Sequence, residues 1–133
     1  TNGADVIYHA AGGTGNGVIE ACNTNGVFAI GVDTDQSPLA PDVVLTSAMK
    51  RVDIASQDVS KAVKADAFEA GVHLYDMSNG GVDIAPTQTL LTEDMIAAVE
   101  DAKAAIQSGE IVVPTTGDEL EEQVGSDVFE LDN

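Results

Sequence analysis

Apolar positions fall in short runs of two different periods, and glycine, proline or clustered polar residues separate the runs. Residues 4–9 (ADVIYH) are short and rich in β-formers, the pattern of a buried strand. Residues 27–32 (VFAIGV) and 43–48 (VVLTSA) read as a second and a third strand. A helix is expected between the first two, opening at Gly15 or Asn16 and stopped by Asn23, Asn25 and Gly26. Residues 33–41 (DTDQSPLAP) hold two prolines and several turn formers, so they read as a loop. A second helix is expected from Asp53, which suits a helix start, to Ala67. Its stripe is Val52, Ala55, Val59 and Ala62 or Val63, at spacings of three and four. Residues 71–76 (GVHLYD) read as a fourth strand, 78–81 (SNGG) as a turn and 82–85 as a short returning strand. Thr92 is a good N-cap for a third helix, with a stripe at Met95, Val99, Ala102 and Ile106 and a stop at Gly109. Residues 111–113 have the composition of an edge strand, and Pro114 closes the periodic part. Strands alternating with helices predict an α/β layer, a largely parallel sheet flanked by helices.

The densest glycine stretch, residues 10–17 (AAGGTGNG), lies between the first strand and the first helix. Glycines there let the backbone approach a ligand closely, and a helix N-terminus favours polar groups. The second strand ends at Asp33 and Asp35, and the third ends just before Lys50 and Arg51. In an open parallel sheet such strand ends share one edge, which is where ligands bind. The stretch is not a dinucleotide-binding fingerprint, because no register gives the third glycine. It is not a P-loop, because Val18 and Ile19 stand where a lysine and a hydroxyl residue are needed. It resembles the phosphate loop of tubulin-like GTPases over these few residues alone, which leaves a nucleotide-binding GTPase fragment as an alternative function.

The charge changes the picture more than the length does. A chain of 133 residues suits one domain, but 23 acids against 5 bases give a net charge of −18. Residues 115–133 hold seven acids and no Lys or Arg, and they lack periodicity, so they read as a disordered acidic tail after a folded part at 1–114. The rest of the chain still has 16 acids against 5 bases. Such a surface opposes nucleic acid and anionic lipid, and it suits a protein adapted to high salt, where screening weakens self-repulsion. Cys22 is the single cysteine and is expected to be a buried structural thiol. His9 and His73 stand apart, and His9, at a strand end, reads as structural or merely exposed, with a ligand-site residue as the lesser alternative. With no nucleophile–base arrangement and no metal-ligand spacing, the chain is expected to be neither an enzyme nor a metal or cofactor carrier. It does not begin with Met, and is expected to be processed or a piece of something larger.

The segments ADVIYHAAGGTGNGVIEAC, GVFAIGVDTDQSPLAPDVVLTSAMKRVD, GGVDIAP and SGEIVVP occur in this order. Together they resemble the carboxyl-terminal part of the basic membrane protein family, substrate-binding lipoproteins of ATP-driven importers related to purine-nucleoside receptors. The resemblance implies a type I periplasmic-binding fold of which the amino-terminal lobe is mostly missing here. It implies an extracytoplasmic, lipid-anchored whole protein that presents a nucleoside-like ligand to an ABC transporter permease. Gly12 and Gly13 match the glycine pair beside the ligand. Asp33 matches the acid that accepts ribose hydroxyls, and Lys50 the lysine that reaches the same sugar. Asp35 and Gln36 are weaker matches, with shaping of the loop as the alternative; Asp33 has an ordinary solvated loop acid as its alternative, and Lys50 a surface ion-pair partner.

Overall fold

The structure, a computed structural model, describes residues 3–125. Its elements are β1 (Val6–Tyr8), α1 (Gly15–Asn25), β2 (Phe28–Asp33), β3 (Val44–Lys50), α2 (Val52–Lys64), β4 (Val82–Ile84), α3 (Glu93–Ser108) and α4 (Gly117–Val124). Single 3-10 turns occupy Gly12–Thr14 and Ser37–Leu39. The chain divides into two compact units, Thr1–Ala98 and Val99–Asn133, with the division inside α3.

In the first unit the strands form one sheet in the order β1-β2-β3-β4. β1, β2 and β3 run parallel, with Tyr8 opposite Ile30 and Asp33 opposite Met49. The parallel α/β expectation therefore holds, and it puts the carboxyl ends of β1, β2 and β3 on one edge. β4 returns antiparallel along β3, pairing Val82 with Lys50. The core is small: Ile19 and Cys22 of α1 pack with Ala29, Ala40, Val43 and Val44. The Cys22 thiol is fully buried and free, as expected of a structural cysteine. Gly26 ends α1 in the left-handed conformation at φ +66, with its N–H on the Cys22 carbonyl.

Three expectations fail in instructive ways. Residues 71–76 belong to no strand, and Val72 is fully exposed. β4 already occupies the free side of β3. Side chains serve the segment's backbone instead: the Asn79 amide donates to the Leu74 carbonyl, and its oxygen accepts from the N–H of Asp76. α2 stops at Lys64 rather than Ala67, because Asp66 adopts φ +54 and the Ala67 N–H closes back on the Ala62 carbonyl. Aspartate tolerates that conformation better than most residues. The α2 stripe is only half-buried, with Val52 and Val63 exposed.

In the second unit residues 111–113 form no strand, since the Ile111 N–H is used to close α3 on the Ala105 carbonyl. At the start of α3, in the first unit, the hydroxyl of Thr92 accepts from the Met95 N–H, as its capping role requires. Residues 117–124, expected to be disordered, are helical. Thr116 caps α4 by accepting from the Glu119 N–H, and the Glu119 carboxylate accepts from the backbone and hydroxyl of Thr115. This is close to a capping box. Residues 126–133 of the expected tail lie outside the described residues. Since α4 buries no residue, truncation after Pro114 is expected to move the thermal midpoint by less than about 2 °C, the scale of a surface change. A drop of many degrees in a circular dichroism melt would count against a dispensable tail.

Candidate ligand-binding site

The carboxyl end of β2 is bent sharply. Asp33 has φ +67, and the Thr34 N–H reaches across it to the Val32 carbonyl at 2.8 Å, a three-residue turn. Positive φ at a non-glycine residue is uncommon and is stored where the surroundings enforce it. The turn sets the Asp33 carboxylate 3.0 Å from the Nζ of Lys50, at the end of neighbouring β3. Both side chains are substantially exposed, 45% for Asp33 and 64% for Lys50, so each keeps free valences toward solvent. A hollow of about 530 Å³ opens beside the pair, lined also by Met49, Asp53 and Pro86. The pair offers an acceptor and a donor side by side, the complement of a ligand bearing adjacent hydroxyls.

The loop behind Asp33 is locked from beneath. The Gln36 side-chain oxygen accepts from the Val32 N–H, its backbone N–H donates to the Ser47 hydroxyl, and its amide lies 3.5 Å from Asn16 on α1. Gly31 makes room for this, because a Cβ there would run into the Ser47 hydroxyl and the Gln36 side chain. Asp35 also serves the loop. One carboxylate oxygen accepts from the backbone and hydroxyl of Ser37, and the other from the Thr87 hydroxyl at 2.6 Å. These bonds, Ser37 and then Thr87 foremost, hold the Asp35 carboxyl below its ordinary range. Of the two readings of Asp35 and Gln36, the hydrogen bonds favour loop shaping.

Asp35→Ala is expected to destabilise the fold by about 1.5–3 kcal/mol, the scale of hydrogen bonds to a charged group. Because the folded-state pKa is depressed, this contribution is present above the unfolded carboxylate's range and is lost as pH falls through the folded value. Urea denaturation of wild type and variant at pH 7 and pH 3 checks both magnitude and sign, the gap between them narrowing at the lower pH.

Arg51 and Asp53 form a second ion pair on the rim. The guanidinium donates from Nε at 3.0 Å and from Nη2 at 2.8 Å, a two-point grip. That grip lowers the Asp53 carboxyl to about 2. Arg51 is thus committed to the start of α2, leaving Lys50 as the cation facing Asp33. Arg51→Gln is expected to return the Asp53 midpoint toward its ordinary 3.8, read by carboxyl-carbon NMR titration.

Gly12 and Gly13 lie on the turn after β1, at the same sheet edge as Asp33 and Lys50, but they do not line the hollow beside that pair. Gly12 has φ +53 and requires glycine for its conformation, whereas at Gly13 a side chain would meet nothing within 4 Å. A larger hollow, about 730 Å³, lies between Ile7 and the Val18, Ala21 and Cys22 side of α1, away from these charged residues. It is apolar and lacks the convergent polar groups of a specific site. Sequence reasoning missed how deeply His9 is buried, at 6% exposure. The signal was Gly15 at the helix start, a glycine with no turn to make.

Residues 1–117 match the family described as Bmp, ABC transporter substrate-binding protein PnrA-like. The chain belongs to the Bmp family. It is 41% identical over 131 residues to the CD4+ T-cell-stimulating antigen of Listeria monocytogenes, the match covering 86% of this chain and 37% of that protein. It is 34% identical over 132 residues to the ABC transporter nucleoside-binding protein BmpA of Lactococcus lactis, with the same coverage of 86% and 37%. Among solved structures, an ABC transporter solute-binding protein from Aeropyrum pernix superimposes with a TM-score of 0.69 at 25% identity, over 90% of this chain and 45% of that one. The chain thus spans less than half the length of these relatives. Its parallel α/β layer is part of the solute-binding fold of the Bmp family, and the GTPase alternative gains no support from these likenesses.

Proposed function

We propose that this chain is the carboxyl-terminal portion of the substrate-binding component of an ABC importer, and that Asp33 and Lys50 hold the sugar hydroxyls of a nucleoside-like ligand. The observation that carries the reading is the Asp33–Lys50 pair at neighbouring strand ends, the carboxylate 3.0 Å from Nζ with both groups open to solvent. The turn at Asp33 aims the carboxylate at Lys50, and family membership supplies the substrate-binding role. Gly12 and Gly13 flank the sugar, where a side chain would collide with it. Asp35 shapes the loop that presents Asp33. The base is gripped by an amino-terminal lobe outside this sequence, and the ligand lies in the cleft between lobes, which closes to exclude water. The nucleoside class comes from the relative named as nucleoside-binding. The whole protein works outside the cytoplasm, held by a lipid anchor, and delivers its ligand to a permease without chemical change to it. The test is mass spectrometry of ligands retained by the whole protein, followed by calorimetry with inosine, guanosine and adenosine. Recovery of a nucleoside supports the reading. A retained ligand without vicinal hydroxyls, with no response to any nucleoside, overturns it.

A further inference from the structure

The geometry points to His9 as a positioning residue: its imidazole seats Gly15 at the start of α1, and through Gly15 it sets the glycine turn Gly12–Thr14. His9 directly follows β1 and is 6% exposed, yet neither ring nitrogen has a hydrogen-bond partner in the protein. Burying two polar nitrogens without partners is unfavourable, so something other than hydrogen bonding keeps the ring in place. That something is shape. Gly15, the first residue of α1, is buried, and a Cβ built on it falls inside the van der Waals envelope of the imidazole at Cε1, Nδ1 and Nε2. The ring thus fills the space that a side chain at position 15 would take. The Gly15 N–H in turn closes the turn by donating to the Gly12 and Gly13 carbonyls. Ring, helix start and turn are packed in series, and the position of Gly13 follows from the position of His9.

This deepens the proposed function, and rests on it only where a ligand is concerned. The consequence for the chain alone is a reversal of sign at Gly15. Helix propensity makes Gly→Ala at a helix position favourable. The ring makes the same change unfavourable here, so Gly15→Ala is expected to lower the thermal midpoint. In a His9→Ala background the methyl group has room, and Gly15→Ala is expected to raise it.

The experiment measures thermal midpoints of wild type, Gly15→Ala, His9→Ala and the double variant in molar salt, with amide hydrogen exchange at Gly12, Gly13 and Thr14. His9→Ala is expected to speed exchange at those amides by about tenfold or more, a local opening, while β3 amides stay protected. Inosine affinity of the whole protein is read in parallel, and His9→Ala is expected to weaken it by about tenfold, as misplacement of a ligand wall does. A Gly15→Ala effect of the same sign in both backgrounds, or unchanged exchange at the turn in His9→Ala, overturns the role of His9. If wild type binds no nucleoside, the proposed function fails, while the sign reversal and the exchange data still decide on His9.

Discussion

In calorimetry on the whole protein, Asp33→Asn and Lys50→Ala should each bind nucleoside about 10- to 100-fold more weakly than wild type, the equivalent of about 1.5–3 kcal/mol for a hydrogen bond to a charged group. Asparagine is the better probe at position 33, because alanine would add backbone strain at φ +67 to the loss of the carboxylate. Stability should hardly move. The Asp33–Lys50 pair is exposed on both sides, and exposed ion pairs contribute about 0–1 kcal/mol. A large loss of affinity with a small change in melting is the signature of a ligand contact rather than a structural one. The two changes should be less than additive if both residues hold one sugar. Gly13→Val should eliminate binding and still fold, since the position has open space and no positive φ. Wild-type affinity in both Asp33→Asn and Lys50→Ala would remove these residues from the site.

The second large effect expected is salt-dependent folding. A net charge of −18 on 133 residues, over a core built from one helix face and small strand residues, leaves little apolar burial to oppose self-repulsion. Screening length falls from about 10 Å at 0.1 M to about 3 Å at 1 M salt, so repulsion between neighbouring carboxylates fades over that range. The thermal midpoint is expected to rise by about 10 °C or more between dilute buffer and 1 M KCl, the response of a small domain to about 2 kcal/mol. Circular dichroism melts across a KCl series measure it. Equal midpoints at both ends of the series would reject adaptation to high salt as the meaning of the charge.

What the sequence made legible is what local pattern can encode. The parallel strands, the first helix and its glycine stop were readable because period and punctuation agree there. So was the convergence of Asp33 and Lys50, which follows once β2 and β3 are parallel and adjacent. Residues 71–76 were not readable as they stand, because their β-forming composition states a preference and pairing needs a free neighbour. α4 was overlooked because its acidic content masked a capping signal in Thr116 and Glu119. The sequence ranked Asp33 above Asp35 only through the family resemblance, and the partner that binds Asp35 into the loop was beyond pattern altogether. Two acids two residues apart in one loop look alike until Thr87, 52 positions onward, takes one of them.

β1 contributes only Val6–Tyr8 and stands at the outer rim of the sheet, with Val6, Ile7 and Tyr8 all open to solvent. In this chain taken by itself, a rim of this kind is a template for another strand. In dilute buffer the acidic surface keeps two copies of the chain apart. The ions expected to favour folding also screen that barrier, so the same salt that raises the thermal midpoint is expected to bring the chain closer to its own solubility limit. For this chain, protein concentration and salinity form a single phase diagram, and a melting curve is interpretable only with its place on that diagram marked.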